Sequence, residues 1–144
     1  MTRPESLTDL DEILRDLAPV LTDEVFAFSS VDGLPGDVGD SVLMTLREPE
    51  GTSVIVQYRE AVARGWRSSG PYRQIILTVP SSLEAVGLTA KVSSQLAAAG
   101  ISCNIVSGVH HDHVFVPEES ARRAVQLLEE ISTSARRHST GTSK

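Results

Sequence analysis

The stretch RQIILTVPSSLEAVGLTAKVSSQLAAAGISCNIVSGVHHDHVFVPEESARRAVQLLEEI, residues 73–131, reads as a strand, a helix, two strands and a second helix. In Arg73 to Val79 the residues Ile75, Leu77 and Val79 alternate with Gln74, Ile76 and Thr78, the period of a strand whose two faces are both partly covered. From about Leu83 to Ala99 the apolar positions Ala85, Leu88, Val92, Leu96 and Ala99 fall on one helical stripe, and Gly100 supplies a left-handed stop. Ile101, Cys103 and Ile105 share one face of the next strand, Ser107-Gly108 turns the chain, and His110 to Val116 returns antiparallel. Pro117 opens a helix carrying Ala121, Ala124, Val125, Leu128 and Ile131 on one side. These are five of the six elements of a ferredoxin-like βαββαβ unit. Nothing after Ile131 can supply the closing strand, so a strand from the first half or from a second chain must cover that sheet edge. The expected class is α+β, with two intertwined units.

Upstream, Leu7, Leu10, Leu14, Leu17 and Leu21 predict a helix from about Ser6 to Ala18, capped by Ser6 with Asp9 and ended by Pro19. Strands are expected over Glu24 to Ser30, Ser41 to Arg47 and Ser53 to Gln57, separated by DGLPGDVGD and EPEG, and a short helix over Arg59 to Arg64. GWRSSGPY then marks a boundary, with Trp66 as a packing anchor between the halves. The division expected is an N-terminal unit over 1–68, a C-terminal unit over 69–132 and a disordered tail over 133–144, where STSARRHSTGTSK lacks periodicity.

The totals narrow the function. The 144 residues carry Lys+Arg 13 against Asp+Glu 19, a net charge of −6, with no clustered basic face, which speaks against nucleic acid as a partner. No apolar run has the length needed to span a bilayer, and the N-terminus lacks a signal-peptide core, so no membrane partner and a cytoplasmic location are expected. The single cysteine, Cys103, sits in an apolar stretch and reads as a small buried hydrophobe.

With these elements in place, ILTVPSSLEAVGLTAKVSSQLAAAGISCNIVSGVHHDHVFVPEESARRAVQLL resembles an ACT domain. More narrowly, the chain is similar to stand-alone, two-unit ACT-like proteins related to the regulatory domains of aspartate kinase. The match is specific over Arg73 to Leu128 and looser over LAPVLTDEVFAFSSV and the two strands after it. The resemblance implies antiparallel sheets with helices on one face, and a sensor of an amino acid or similar small zwitterion, acting as a homodimer without catalysis or cofactor. It also implies a ligand at the loop into the first helix, Ser81, Ser82, Glu84, Ala85, Val86, Gly87 and Leu88, and at the following strand, Asn104, Ile105 and Ser107. Many amino-acid-binding members have an acid and a Pro-Gly in that loop. Here Ser81-Ser82 and Val86-Gly87 stand in those places.

The residues support such a site independently of the name. A helix start presents amide N–H groups and about half a positive charge to a ligand carboxylate, Gly87 permits close approach, and Glu84 is an acid able to meet an ammonium group. The plainer reading is that Ser81 and Ser82 cap the helix and Gly87 allows close packing.

The run VHHDHVFVP raises a separate question. Strand alternation puts His111, His113 and Phe115 on one face and His110, Asp112, Val114 and Val116 on the other. Three uses are open: polar recognition by His111 and His113 in the same groove, a metal-dependent enzyme built on His111, Asp112 and His113, or a satisfied strand end. A ligand-free protein-interaction module is the remaining alternative. Nucleophile-elbow, phosphate-loop and zinc-protease motifs are absent from the sequence, so no metal and no catalytic residue is assigned.

Overall fold

The computed structural model describes residues 7–140. Along the chain these form α1 (Leu10–Arg15), β1 (Pro19–Val31), β2 (Val42–Glu48), β3 (Gly51–Gln57), α2 (Tyr58–Ala63) and β4 (Ser68–Leu77). The second half adds α3 (Leu88–Ala98), β5 (Asn104–Ser107), β6 (Asp112–Pro117) and α4 (Ala121–Thr140). Single 3-10 turns, Gly39–Ser41 and Glu118–Ser120, precede β2 and α4. The hydrogen-bonding order of the six strands is β2-β3-β1-β4-β6-β5.

Two compact units divide the chain. One joins the residues up to Thr22 with those from Gln74 onward, and the other is Asp23–Arg73. The division falls inside β1 and β4, so each of these long strands serves both units.

In the first unit the start of β1 lies beside the end of β4, where Val79 N donates to Leu17 O and Thr78 N to Ala18 O, each at 3.3 Å. This supplies the closing strand that residues 73–131 lack, from the first half of the same chain. The core is formed by Ile75, Leu77 and Val79, by Leu88, Val92 and Leu96 of α3, by Val114 and Val116 of β6, and by Ala124, Leu128 and Ile131 of α4. Ile13, Leu14 and Leu17 join it from the N-terminus. Burying each such side chain is worth roughly 1.5–3 kcal/mol, which is why the strand and helix periods read from the sequence hold here.

Among the boundaries that differ from the sequence reading, three have an evident local reason, while β1 begins at Pro19 rather than Glu24 and β4 at Ser68 rather than Arg73. The first helix starts at Leu10, because Asp9 Oδ1 accepts from Glu12 N at 3.1 Å and caps it. Ser6, the expected cap, lies outside the described residues. The helix expected from Leu83 starts at Leu88, because Gly87 has φ +101, which a helix interior does not accommodate. Finally, α4 runs on to Thr140 through the expected tail. Ser132 Oγ accepts from Leu17 N at 3.3 Å, Arg136 Nε donates to Arg15 O at 3.0 Å, and Ala135 packs against the core. Tertiary contacts with the N-terminal segment thus hold a helix that its own periodicity does not announce.

In the second unit β3 pairs antiparallel with both β1 and β2, in registers such as Phe28↔Ile55 and Leu46↔Ser53. A smaller cluster, Ala27, Val31, Val54, Val56 and Ala61, forms its core, with Val42, Tyr58 and Trp66 against it. Trp66 therefore packs inside this unit, where the Arg64 guanidinium sits 5.5 Å from its ring.

Candidate ligand-binding site

The crossing from β4 to α3, residues 78–87, carries half of the residues expected to bind a ligand. Ser81 is buried, and its hydroxyl donates to Asp112 Oδ2 at 3.1 Å. The Ser107 hydroxyl donates to the other oxygen, Asp112 Oδ1, at 2.5 Å. The loop, β5 and β6 therefore meet on one buried carboxylate, whose desolvation is offset by two hydroxyl donors. Ser82 Oγ accepts from Glu84 N at 3.1 Å and Ser82 O from Ala85 N at 3.0 Å, which closes a tight turn. Neither serine caps α3. The cap is Gly87, which offers no side chain, and the first turn of α3 carries no acid. Thr89 and Ala90 are exposed in that turn, so the positive end of the helix faces solvent there.

The loop also touches a segment that the sequence reading left out. Leu7 forms a parallel bridge with Ser81: its N–H donates to Pro80 O at 2.6 Å, and its carbonyl accepts from Ser82 N at 2.8 Å. Gly87 holds φ +101, where an L side chain is strained, and a Cβ there would stand 2.9 Å from Leu10 Cδ2, the flexible end of a side chain that lies over the loop. Both leucines appear in the sequence as members of one helical stripe. Only Leu10 is helical, and the pattern holds no signal that separates Leu7 from it.

The remaining expected residues scatter. Glu84, Val86 and Asn104 are exposed, Val86 at 83%. Ala85 and Ile105 pack against the core, and Leu88 belongs to it. Among the histidines, β6 begins at Asp112, which places His110 and His111 in the turn before it. His113 stands on the face opposite Asp112, with Nδ1 2.9 Å from Gln74 Nε2, and Gln74 Oε1 accepts from Thr22 Oγ1 at 3.3 Å. Burial lowers the pKa of His113, the neighbouring His111 lowers it further, and Asp112 opposes both. His111 Nδ1 is enclosed without a hydrogen-bond partner among the described residues. Those residues hold no group of three or more His, Cys, Asp or Glu able to bind a metal ion. Gln74 is a further polar residue missed in the sequence. It is buried directly ahead of the apolar run Ile75–Leu77 of β4, and that neighbourhood was its one signal in the sequence. An open groove of about 670 Å³ lies elsewhere on this unit between α1, α3 and α4, and none of the expected site residues lines it.

Comparison with known proteins places this geometry. Residues 69–130 match one ACT-domain family profile and residues 5–73 match another. No curated protein matches the chain. A Vibrio cholerae protein of unknown function, described as a possible transport protein, has a crystal structure that is 39% identical. The match covers 85% of this chain and 95% of that one, with a TM-score of 0.76. An Agrobacterium tumefaciens protein is 18% identical over 79% of this chain and 87% of its own, with a TM-score of 0.66. The regulatory subunit of aspartate kinase from Thermus thermophilus, in ligand-free form, shares the fold at 14% identity and a TM-score of 0.60, covering 81% and 97%. With both halves matched and a ferredoxin-like strand order in each unit, the chain belongs to the ACT-domain family, as a tandem ACT-like protein with a regulatory, ligand-binding role.

Proposed function

We propose that the protein senses an amino acid or a similar small zwitterion at the loop between β4 and α3, and carries out no chemistry of its own. The observation that carries this reading is a helix start without a side-chain cap, at the end of a loop whose Pro80 carbonyl and Ser82 amide both bond to the backbone of a separate segment, at Leu7. The carbonyl suits an ammonium group, and the amides and helix dipole suit a carboxylate. In this reading the ligand meets the loop of Ser81, Ser82, Glu84, Ala85, Val86, Gly87 and Leu88, in which Ala85 and Leu88 take part through the core they pack into, together with Asn104, Ile105 and Ser107 of the following strand. His111 and His113 lie on the adjoining turn and strand.

The reading includes a homodimer in the cytoplasm. Leu83, Val86 and Val109, apolar residues exposed at 63%, 83% and 68%, are available for the contact between copies. No helix among the described residues is long and apolar enough to cross a membrane. A metal-dependent enzyme on His111, Asp112 and His113 is not favoured, since Asp112 is engaged by two serine hydroxyls and His113 by Gln74.

A thermal-shift screen of the common amino acids tests the proposal. A ligand at a hundredfold excess over its dissociation constant should stabilise the protein by about 2.7 kcal/mol. For a chain of this size that raises the melting temperature by roughly 5–10 °C. No shift with any amino acid would overturn the reading.

A further inference from the structure

Leu7 occupies, with the protein's own backbone, the two loop groups to which the proposed function assigns the ligand's ammonium and carboxylate. Its N–H takes the Pro80 carbonyl at 2.6 Å, in the place of an α-ammonium group, and its carbonyl takes the Ser82 N–H at 2.8 Å, in the place of a carboxylate. This bridge is isolated and belongs to no strand of the sheet. The Leu7 and Leu10 side chains pack against the core cluster that contains Val79 and Leu88, and Leu10 fills the space above Gly87. We propose that Leu7 is a tethered stand-in for the ligand, that the site takes an L-amino acid with an aliphatic side chain, and that ligand and Leu7 exclude one another.

This inference rests on the amino-acid sensor reading and adds a ligand class and a mode of regulation to it. The aliphatic preference follows from the occupant itself and from the apolar cluster that receives it. The exchange is physically reasonable. A free amino acid replaces two neutral hydrogen bonds with charge-assisted ones of about twice the strength. Against it stands the tether, which keeps Leu7 at a high effective concentration and reduces the apparent affinity by the fraction of time the site is open. A segment in place about nine-tenths of the time weakens the ligand roughly tenfold.

L-leucine is the probe, titrated calorimetrically into three proteins: the full chain, a chain beginning at Asp9, and Leu7→Pro. The truncation keeps the Asp9 cap of α1, and the proline removes the N–H that binds Pro80 while leaving the chain complete. Circular dichroism confirms that both are folded, and amide exchange at Ser82 is followed in the full chain and in Leu7→Pro. The expected result is at least tenfold tighter L-leucine binding by both variants, with Ser82 protected only in the full chain. Equal binding by all three proteins would overturn the stand-in and leave the sensor reading intact. Equally fast exchange at Ser82 in the full chain and in Leu7→Pro would overturn it without reference to any ligand. Absence of binding in all three, with no other amino acid active in the thermal screen, would remove the sensor reading and this inference together.

Discussion

The two units share one strand order, drawn from the same two long strands, but only the first has a full helix after both its first and its third strand. After β4 the chain loops and enters α3, of 11 residues, and after β6 it enters α4, of 20. The second unit has α2, of 6 residues, in its second crossover and a single 3-10 turn in its first. The reason lies in DGLPGDVGD. Three glycines at about 1 kcal/mol each and one proline at about 3 would cost a helix there roughly 6 kcal/mol relative to alanine. Arg64 ties this shortened crossover to α2 instead, through Glu60 at 2.6 Å and Asp37 at 3.1 Å. A fold repeated in tandem can therefore give up a helix in one copy without giving up the sheet. What that copy loses is the helix start, and with it the feature that suits an anionic group.

The difference should show first in stability. Leu96→Ala in the first unit should cost about 2–5 kcal/mol in urea denaturation, because Leu96 is fully buried in the larger cluster. Val56→Ala in the second unit removes less apolar bulk from a cluster of five buried residues and should cost roughly 2 kcal/mol. An equal or larger loss at Val56 would make the second unit the main source of stability and reverse the comparison. A charge placed in each first crossover sharpens it further. Thr89→Glu puts a carboxylate at the exposed start of α3, and Gly36→Glu puts one in the corresponding crossover of the second unit, where a Cβ meets nothing within 4 Å. Both add one negative charge, and both should change stability by no more than about 0.5 kcal/mol. Only Thr89→Glu should weaken an amino-acid ligand, by tenfold or more in calorimetric titration. Equal weakening by the two would point to a general charge effect rather than to a site.

The same contrast explains how much was legible in the sequence. Residues 73–131 announce their strands and helices because their faces are buried in one core, and burial enforces the period that sequence reading detects. The missing closing strand was legible as an absence, since five elements without a sixth leave an edge that must be covered. Its source, Pro19–Thr22, follows from pairing across a long separation, which no local pattern encodes. The C-terminal part of α4 and the break between Leu7 and Leu10 were hidden for one reason: each is decided by what it touches. Ser132 and Arg136 hold α4 on α1, and the loop at Pro80 and Ser82 draws Leu7 out of a stripe that otherwise reads as continuous helix. At the site, Ser81 and Ser107 were singled out, but their shared partner was not. Asp112 was read as one of a histidine cluster, because strand alternation alone cannot say which loop will lie above it.

The smallest expected effect concerns acid. All 4 histidines of the chain lie in the first unit, at positions 110, 111, 113 and 138. Any histidine-linked loss of stability must therefore originate there. The pKa of His113 is lowered by burial and by His111, with Asp112 acting against them. Between the lowered folded value and the ordinary value of 6.5 the unfolded chain binds more protons than the folded one, so stability rises with pH across that window. On acidification the loss should begin as pH falls through about 6.5 and level off once the folded ring is also protonated. His113→Gln should flatten that slope without reproducing the loss at neutral pH, because a glutamine oxygen can still accept from Gln74 Nε2 in place of the ring nitrogen. Denaturation midpoints at pH 7.5, 6.5 and 5.5 for the two proteins decide it. If the slope survives the substitution, His113 is not the titrating group.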